Sequence, residues 1–258
     1  MNITTGKKAT RAAMFDAIGG WTTQFEIDGQ KVGGTTEILT KDPRLLWHLE
    51  QIGGAKGKQV LELGPLEGAH TKMLIEAGAE DVYAVEGLSD CFLRCLVVKE
   101  AFNLEKAHFL FGDFNDLVNM YAEKMKVFDT VIPGLAKFHF VSAAGVLYHQ
   151  KNPAKLIHDL GKITDTVLVW SQVASDGKPS THVEKLSHNG FDYLGKINHY
   201  HGTRLKSESY CGGLEEWAFW FYPEHLRQCF RDAGFTKIIE TPSPSNVNGD
   251  CLLFVATR

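Results

Sequence analysis

The stretch VLELGPLEGAHT at residues 60–71 limits the possible folds more than any other part of the chain. Its first residues are mostly apolar and lack helical spacing, which is typical of a buried strand. Gly64 and Gly68 permit backbone conformations that a side chain would disfavour, and a helical pattern begins at Thr71. A strand, a glycine turn and a helix in this order predict a ligand-binding corner.

The side chains of this turn indicate which kind of ligand it binds. A diphosphate requires free backbone N–H groups and a helix N-terminus, and it favours small, uncharged residues between the glycines. Here Pro65 removes one N–H donor, Leu66 adds bulk and Glu67 adds negative charge. A nucleoside with a cationic group suits such a turn better, and S-adenosylmethionine (SAM), a sulfonium, is the obvious candidate. A strand-to-helix turn that binds no ligand is the alternative.

Two acidic residues end the next two predicted strands. Glu86 follows DVYAV 22 residues after Gly64, near the spacing of about 20 at which nucleotide-binding folds place a carboxylate on the ribose hydroxyls. Asp113 follows FLFG, where it is placed to hold an adenine amino group while Phe114 covers the ring. For each acid, the alternative is a solvated carboxylate at the end of a strand.

Together with a fourth segment, KFHFVSAAGVLYHQKNP at residues 137–153, these motifs resemble the class I SAM-dependent methyltransferases. The resemblance extends from about Val60 to Trp170 and includes ELGPLEG, Glu86, the GDF segment and GVLYHQKNP. The last string is most similar to the branch that contains small-molecule and sugar O-methyltransferases and the tRNA wobble-uridine carboxymethyltransferase. Four motifs in order are stronger evidence than any one of them alone.

The resemblance implies a Rossmann-like α/β fold, in which a seven-stranded and mostly parallel sheet carries helices on both faces and its last strand is antiparallel. It also implies SAM as the cofactor and S-adenosyl-L-homocysteine (SAH) as the product. The implied cofactor-binding residues are Glu62, Gly64, Pro65, Leu66, Gly68, Glu86, Gly87, Asp113, Phe114, Ala144 and Gly145.

The chain departs from the family pattern at two positions. Leu66 stands where the first motif usually has a glycine, which affects how closely the backbone approaches the methionine part of the cofactor. The fourth strand usually carries an aspartate, and the chain offers His139 in the contiguous match or Asp129 further back. The Asp129 register would leave a connection of about 14 residues before GVLYH, which is long for such a fold. We therefore favour the contiguous match, with residues 127–136 as an insertion before the fourth strand.

The pattern divides the chain into three parts. Residues 1–41 are predicted to form an N-terminal cap segment, with Trp21 against the ligand or the lid; docking of its aromatic side chains on the outer sheet is the alternative. Residues 42–172 and 223–258 are predicted to form the SAM-binding core. Residues 173–222 follow the fifth strand, and about 50 residues are too many for a bare loop in a compact domain. They are therefore predicted to form a substrate-binding insertion or lid.

Two neighbouring residues, Tyr148 and His149, are the catalytic candidates. Methyl transfer requires an aligned acceptor, exclusion of water and often removal of a proton from the acceptor. His149 is predicted to be the general base, because it follows the fourth strand at the edge of the cleft and imidazole titrates near neutral pH. A histidine that caps the next helix or bonds to the backbone is the alternative. Tyr148 is predicted to contact the cofactor or the substrate.

The insertion and the cap supply the substrate-binding candidates. His199 and His201 lie on the same side of a predicted extended segment, while Trp217, together with Trp21 of the cap, offers aromatic faces that stack on rings. Two imidazoles on one side can begin a metal site, but the spacing provides no third ligand, so no metal is predicted.

Composition and charge narrow the class of partner. The net charge of -4 gives no reason to expect a polyanion, which counts against a nucleic-acid partner. The five cysteines form no C-x-x-C pair, and without a secretory signal they predict reduced thiols in the cytoplasm. No apolar run approaches the length of about 18 residues that crosses a bilayer, so no membrane partner is predicted.

These features together predict a SAM-dependent methyltransferase that acts on a hydroxyl, or an amine, of a small molecule or glycan by in-line transfer. Three alternatives stay open: a tRNA-base methyltransferase or carboxymethyltransferase, an NAD-dependent oxidoreductase, and a SAM-binding domain without catalysis. The sequence predicts no particular oligomeric state.

Overall fold

A seven-stranded sheet lies at the centre of the computed structural model, which describes residues 8–124, 132, 137–175, 182–200, 214–243 and 249–258. The strands of this part of the chain are β1 (Gln24–Ile27), β2 (Gln30–Gly33), β3 (Gln59–Leu63), β4 (Asp81–Glu86), β5 (Ala107–Phe111), β6 (Phe140–Ala144), β7 (Thr166–Gln172), β8 (Glu184–His188), β9 (Phe191–His199), β10 (Trp217–Phe221), β11 (Lys237–Thr241) and β12 (Cys251–Thr257). The α-helices are α1 (Pro43–Gln51), α2 (Ala69–Glu76), α3 (Ser89–Ala101), α4 (Phe114–Ala122), α5 (Pro153–Ile163) and α6 (Pro223–Asp232). Within the described ranges, no helix combines the length and the apolar character that crossing a membrane requires.

The central sheet has the strand order β11-β12-β7-β6-β3-β4-β5. Strands β3 to β7 run parallel to one another, whereas β12 runs antiparallel to both β7 and β11. This topology confirms the Rossmann-like, mostly parallel sheet of seven strands with an antiparallel last strand. The strand order reverses between β3 and β6, so a ligand crevice is expected at the carboxyl ends of these two strands.

Helices cover both faces of the sheet because the core strands alternate their apolar side chains between the faces. Val60 and Leu168 pack with α1 and α2 on one face. Leu61 and Val169 pack with α4, α5 and α6 on the other. All four side chains are fully buried. Burial on both faces explains why these strands read as continuous apolar runs in the sequence.

The fourth core strand is β6, which begins directly after His139. The N–H of His139 donates to the carbonyl of Gln59, and its Nδ1 accepts a hydrogen bond from the N–H of Gln59, both at 3.0 Å. Because Gln59 begins β3, His139 lies at the amino edge of the sheet, opposite the carboxyl ends. The contiguous match is therefore confirmed as the fourth strand, and Asp129 lies outside the described residues.

The N-terminal segment docks on α3 through aromatic side chains. β1 and β2 pair as an antiparallel hairpin. Phe25 of β1 is fully buried, and its ring lies 5.5 Å from that of Phe15 and 5.8 Å from that of Phe102, just after α3. The same segment also brings Thr23 and Leu39 to the wall of the cavity at the carboxyl edge of the sheet.

The insertion between β7 and α6 contains a second, antiparallel sheet with the order β10-β9-β8. Tyr193 of β9 is fully buried, and its hydroxyl donates a 3.0 Å hydrogen bond to Asp232 at the end of α6. Phe219 and Phe221 of β10 join the core on the face that α5 and α6 cover. The described part of the insertion is therefore a folded extension of the core.

Candidate functional site

A cavity of about 760 Å³ opens at the carboxyl edge of the central sheet. Residues at or just beyond the carboxyl ends of β3, β4, β5, β6 and β7 line it, together with the N-terminal segment and the start of α1. This is where an open α/β sheet binds its ligand. The volume falls within the range of about 300–1,000 Å³ that is usual for small-molecule sites.

The turn between β3 and α2 brings the backbone close to this cavity. Gly64 has a φ of +62°, and a Cβ atom there would lie only 2.9 Å from Cγ1 of Val146, so a side chain does not fit. Gly68 has a φ of +77° and caps α2. Leu66 also has a positive φ, of +57°, which strains a residue with a bulky side chain. The chain thus keeps the backbone conformation of a glycine at the position where leucine replaces it.

Glu86, at the end of β4, places a buried carboxylate in the cavity wall. Its oxygens accept hydrogen bonds from the N–H of Leu66 at 3.1 Å and from the N–H of Leu88 at 2.9 Å. Burial raises the pKa of Glu86 to about 7, and the nearby carboxylate of Glu62 adds to the rise. A carboxylate has about four acceptor positions. The N–H of Gly87 also donates to this carboxylate, so about one position is left for a hydroxyl group of a ligand.

The carboxylate of Glu67 fastens the N-terminal segment to the turn. It accepts hydrogen bonds from the N–H groups of Thr22 at 2.8 Å and Thr23 at 2.7 Å, and Nη1 of Arg94 lies 3.7 Å from its Oε1. Glu67 is buried, so its charge is compensated inside the protein. The structure thus gives Glu67 a role in anchoring the N-terminal segment, and its effect on a diphosphate stays a prediction. The missing N–H of Pro65 and the bulk of Leu66 are the other features that disfavour a diphosphate.

A charged cluster lies at the start of α1. Asp42 is fully buried and caps this helix by accepting a 2.9 Å hydrogen bond from the N–H of Arg44. Nε of Arg44 donates to the same carboxylate, and Nε2 of His70 lies 2.9 Å from its Oδ2. Burial opposes ionisation, but His70 and Arg44 hold the pKa of Asp42 well below its usual range. Cζ of Arg44 lies 4.3 Å from the ring centroid of Trp170, so a carboxylate and an indole fix this cation in the cavity wall.

Asp113 and Phe114 lie together at the end of the cavity formed by β5. Asp113 caps α4 by accepting a 2.8 Å hydrogen bond from the N–H of Asn115. The side-chain amide of Asn115 donates to Oε1 of Gln150, also at 2.8 Å. The segment after β5 is thereby joined to the segment after β6 across the cavity wall.

A short 3-10 helix, Leu147–His149, carries both catalytic candidates at the cavity. The carbonyl oxygen of Tyr148 accepts two hydrogen bonds from the insertion, one from the hydroxyl of Tyr200 and one from the indole N–H of Trp220, each at 2.8 Å. The inserted sheet therefore fixes the backbone of the turn that presents His149.

His149 is a buried imidazole in the cavity wall. Burial lowers its pKa to about 4, so the ring is neutral at pH 7. Its Nδ1 has no hydrogen-bond partner. The next helix is capped instead by Asn152, whose Oδ1 accepts a 3.0 Å hydrogen bond from the N–H of Lys155. The capping alternative for His149 is therefore excluded, and a neutral imidazole in this position is able to accept a proton.

Most of the predicted cofactor and catalytic residues lie together in one place. The predicted residues that line the cavity are Glu62, Gly64, Pro65, Leu66, Glu86, Gly87, Asp113, Phe114, Ala144, Gly145, Tyr148 and His149. Gly68 contributes to the turn and is not part of the lining. The positions argued from the strand ends thus converge on one cavity.

The three described residues that were predicted to bind substrate, Trp21, His199 and Trp217, do not lie in this cavity. The indole of Trp21 donates a 2.9 Å hydrogen bond to the carbonyl of Phe15 and packs against its ring. Trp217 and His199 are paired neighbours on β10 and β9, and neither lines the cavity. Aromatic packing and strand direction, which the local sequence does not reveal, orient these side chains. His201 lies outside the described residues.

Arg44, His70, Trp170 and Gln172 are among the cavity residues that the sequence reasoning did not assign. Trp170 and Gln172 end a parallel core strand, so the rule that located Glu86 also points to them. Arg44 and His70 meet only through Asp42, and no local motif signals that contact.

Comparison with known proteins gives a family match. The sequence model of a family described as "Methyltransferase domain" matches residues 43–240. Among curated proteins, the tRNA U34 carboxymethyltransferase of Idiomarina loihiensis is 27% identical over 120 residues, which are 45% of this chain. The match covers 32% of that protein, so the similarity spans about a third of the length of this curated relative.

Solved structures with a similar fold include the N-terminal domain of EvdMO1 in the presence of SAH and D-fucose. The TM-score is 0.69 at 23% identity, over 96% of this chain and 94% of that domain. Against the longer EvdMO1 structure, the match covers 46% of that chain, with a TM-score of 0.60 at 20% identity. Magnesium protoporphyrin IX methyltransferase from Synechocystis PCC 6803 with bound SAH gives a TM-score of 0.52 at 18% identity, over 85% of this chain and 82% of that one.

Proposed function

The chain belongs to a family of methyltransferase domains, and we propose that it transfers a methyl group from SAM to a hydroxyl group of a small molecule or glycan. The observation that carries this proposal is the buried carboxylate of Glu86, which accepts a hydrogen bond from the N–H of Leu66 in the Gly64 turn. This turn follows β3, beside the point where the strand order reverses. Proteins of similar fold were crystallised with SAH, and one of them in the presence of D-fucose.

The cavity residues fit the three parts of SAM. Glu86 would accept a hydrogen bond from a ribose hydroxyl, and Asp113 and Phe114 would hold the adenine. Arg44 provides a fixed cation for the methionine carboxylate. Gly64 lacks a Cβ, which lets the turn pack closely against Val146 in the cavity wall.

When bound, SAM supplies a methyl group on a sulfonium. The acceptor oxygen forms the new O–CH3 bond while the S–CH3 bond breaks. The electron pair of the broken bond stays on sulfur, which gives SAH. His149 would take the proton of the acceptor hydroxyl on its neutral imidazole. Tyr148 and Trp170 form an aromatic wall beside it that excludes water, their rings 5.8 Å apart.

Calorimetric titration with SAH and with NADH tests the cofactor. We expect SAH to bind and NADH not to bind, and we expect Glu86→Ala to weaken SAH binding at least about tenfold, because the ribose loses a hydrogen bond to a charged group. Binding of NADH without SAH would overturn the proposal.

Transfer of a labelled methyl group from SAM to a panel of hydroxylated compounds then tests turnover. SAH binding without turnover on any acceptor would favour a domain without catalysis.

A second candidate is transfer to a tRNA base, which the similarity to a tRNA carboxymethyltransferase over 120 residues favours. The net charge of -4 weighs against it, because binding to a polyanion usually depends on basic side chains. Tight binding of tRNA that weakens steeply with added salt would support this candidate over a small acceptor.

A further inference from the structure

The buried polar atoms without a partner concentrate at the cavity. In the described part of the chain, five side-chain atoms are buried without a hydrogen bond, and three of them belong to residues that line the cavity: Oγ1 of Thr23, Nδ1 of His149 and Nε2 of Gln172. Buried polar groups are nearly always paired in a folded protein. Unpaired groups that share one cavity wall indicate positions where a ligand supplies the missing partner.

Gln172 lies at the opposite end of the cavity from the predicted ribose acid. It ends β7, whereas Glu86 ends β4, and the strand order places these two strands three positions apart. Three spacings of about 4.8 Å separate their ends by about 14 Å. The side chain of Gln172 is 3% exposed, so its orientation is fixed by the surrounding protein. Gln172 is therefore too far from Glu86 to share its ligand group.

The wall around Gln172 is polar and aromatic. Trp170 lies two residues earlier on the same face of β7. Leu253 of β12 is the cross-strand partner of Trp170. Thr241 and Ser243, at and just beyond the end of β11, also line this end. Among the described residues here, the side chains offer an aromatic face, an amide, hydroxyl groups and apolar surface. This mixture suits a ring that carries hydroxyl groups.

The charged residues near this end are paired within the protein. Arg44 lies over Trp170, donates to the fully buried Asp42 and, in the proposed complex, also binds the methionine carboxylate of SAM. Nε2 of His70, which also lines the cavity, lies 2.9 Å from Oδ2 of Asp42. An acceptor with its own charge would gain no new ion pair here and would lose its hydration. The charge distribution therefore favours a neutral acceptor.

We infer that Gln172 binds and orients the acceptor, and that the acceptor is a neutral, polyhydroxylated ring such as a monosaccharide unit. In this arrangement, the amide N–H of Gln172 donates to one oxygen of the ring while another hydroxyl faces His149 for methylation, and Trp170 supplies the stacking face. This inference rests on the proposed function and assigns a substrate class and a specificity residue to it.

Ligand-observed NMR titration of the SAH-loaded protein tests the inference with two probes. D-galactose is neutral, and D-galacturonate differs from it by a carboxylate. We expect galactose to bind and galacturonate to bind at least about fivefold more weakly. Gln172→Leu, which removes the amide, and Gln172→Glu, which replaces the donor with an acceptor, should each weaken galactose binding at least about fivefold. SAH affinity, measured in parallel, should stay unchanged and confirms that each variant is folded.

Gln228→Leu is the matched control, because Gln228 is exposed on α6 and lies outside the cavity lining. It should bind galactose as the wild type does. Galactose binding that is unchanged in both Gln172 variants, stronger binding of galacturonate, or no binding of galactose to the SAH-loaded wild type would overturn the inference. Failure of the wild type to bind SAH is a different result, because it would overturn the proposed function itself.

Discussion

The indole N–H of Trp220 donates a 2.8 Å hydrogen bond to the carbonyl oxygen of Tyr148, 72 residues earlier in the chain. The hydroxyl of Tyr200 donates to the same oxygen, also at 2.8 Å. Both donors belong to the insertion, and the N–H of Phe219 in the same sheet donates to the carbonyl of Gln150 at 2.9 Å. The insertion therefore holds the turn that carries the predicted base, in addition to covering the core.

This relationship predicts that Trp220→Phe slows turnover without weakening SAH binding. The substitution keeps an aromatic ring against Tyr148 but removes one of the two donors to its carbonyl. Loss of a net hydrogen bond of about 1 kcal/mol should lower kcat about fivefold. Steady-state kinetics and SAH calorimetry measure the two effects.

Trp217→Phe is the control for this prediction, because Trp217 lies on the same strand but outside the cavity lining. It should leave both kcat and SAH affinity close to their wild-type values. Equal losses of turnover in the two tryptophan variants would contradict a specific role for the bond to Tyr148.

The raised pKa of Glu86 predicts that SAH affinity depends on pH near neutrality. Burial raises this pKa to about 7, so the carboxylate is mostly protonated below pH 7 and mostly ionised above it. Ribose hydroxyls donate more strongly to the ionised form. Apparent SAH affinity should therefore rise with pH through 7, and at pH 6 it should be up to about tenfold weaker than at pH 8.

Glu86→Gln should remove this dependence, because the amide does not titrate in this range. Calorimetry on both proteins between pH 6 and pH 8, with thermal unfolding as a check on the fold, makes the comparison. A wild-type SAH affinity that is flat across this range would count against a ribose-binding role for Glu86.

The backbone of Leu66 predicts an unusual order of stability among its variants. With a φ of +57°, any residue with a Cβ costs about 1–2 kcal/mol in this conformation, whereas glycine adopts it freely. Leu66→Gly should therefore be more stable than Leu66→Ala by about 1 kcal/mol. Chemical denaturation of both variants measures the free energies of unfolding.

Leu93 provides the opposite case, because it is a partly exposed residue within α3. There, Leu93→Gly should be less stable than Leu93→Ala by about 1 kcal/mol, since glycine disfavours a helix. If Leu66 showed the same order as Leu93, the positive φ at Leu66 would carry no strain.

The sequence predicts the sheet and the cofactor end of the cavity because these depend on local patterns. Strands such as β3 are buried on both faces and appear as apolar runs, and parallel strands bring Glu86 and Asp113 to one edge. Gly64 is similarly predictable, because a tight turn after a strand requires a particular backbone conformation.

The acceptor end is less predictable because it depends on contacts between distant segments. Trp21 and His199 have side chains suited to ligand binding, but packing on Phe15 and the direction of β9 carry them away from the cavity. Conversely, Gln172 has no motif around it, and only the folded sheet reveals that its amide is buried without a partner.

Glu67 predicts a coupling between the N-terminal segment and cofactor binding. Its buried carboxylate accepts hydrogen bonds from Thr22 and Thr23 and lies beside Arg94. Glu67→Ala leaves the buried Arg94 without its carboxylate partner, although Arg94 keeps its hydrogen bond to the carbonyl of Gly19, and it should lower the free energy of unfolding by about 3 kcal/mol. Because Thr23 lines the cavity, SAH affinity should fall as well. Hydrogen exchange at the amides of Thr22 and Thr23 should accelerate.

Glu37→Ala is the control for this coupling, because Glu37 is exposed and pairs with Lys31 on the surface of the same segment. Its loss should leave the free energy of unfolding and the SAH affinity close to their wild-type values, because an ion pair on the surface contributes little to stability. Slow exchange at Thr22 and Thr23 in Glu67→Ala would show that the segment is held by other contacts.

His149 predicts a separation of chemistry from cofactor binding. If its imidazole takes the proton of the acceptor, His149→Ala and His149→Gln should each lower kcat by about 10²–10⁴-fold while SAH affinity stays unchanged. Because burial lowers the pKa of His149 to about 4, the base is neutral throughout the range from pH 5 to pH 8. Its titration should therefore produce no acidic limb of kcat in that range. A limb near pH 6.5 that disappears in His149→Gln would mean that burial does not lower the pKa of this imidazole. Full activity of both variants would instead assign proton removal to solvent or to another group.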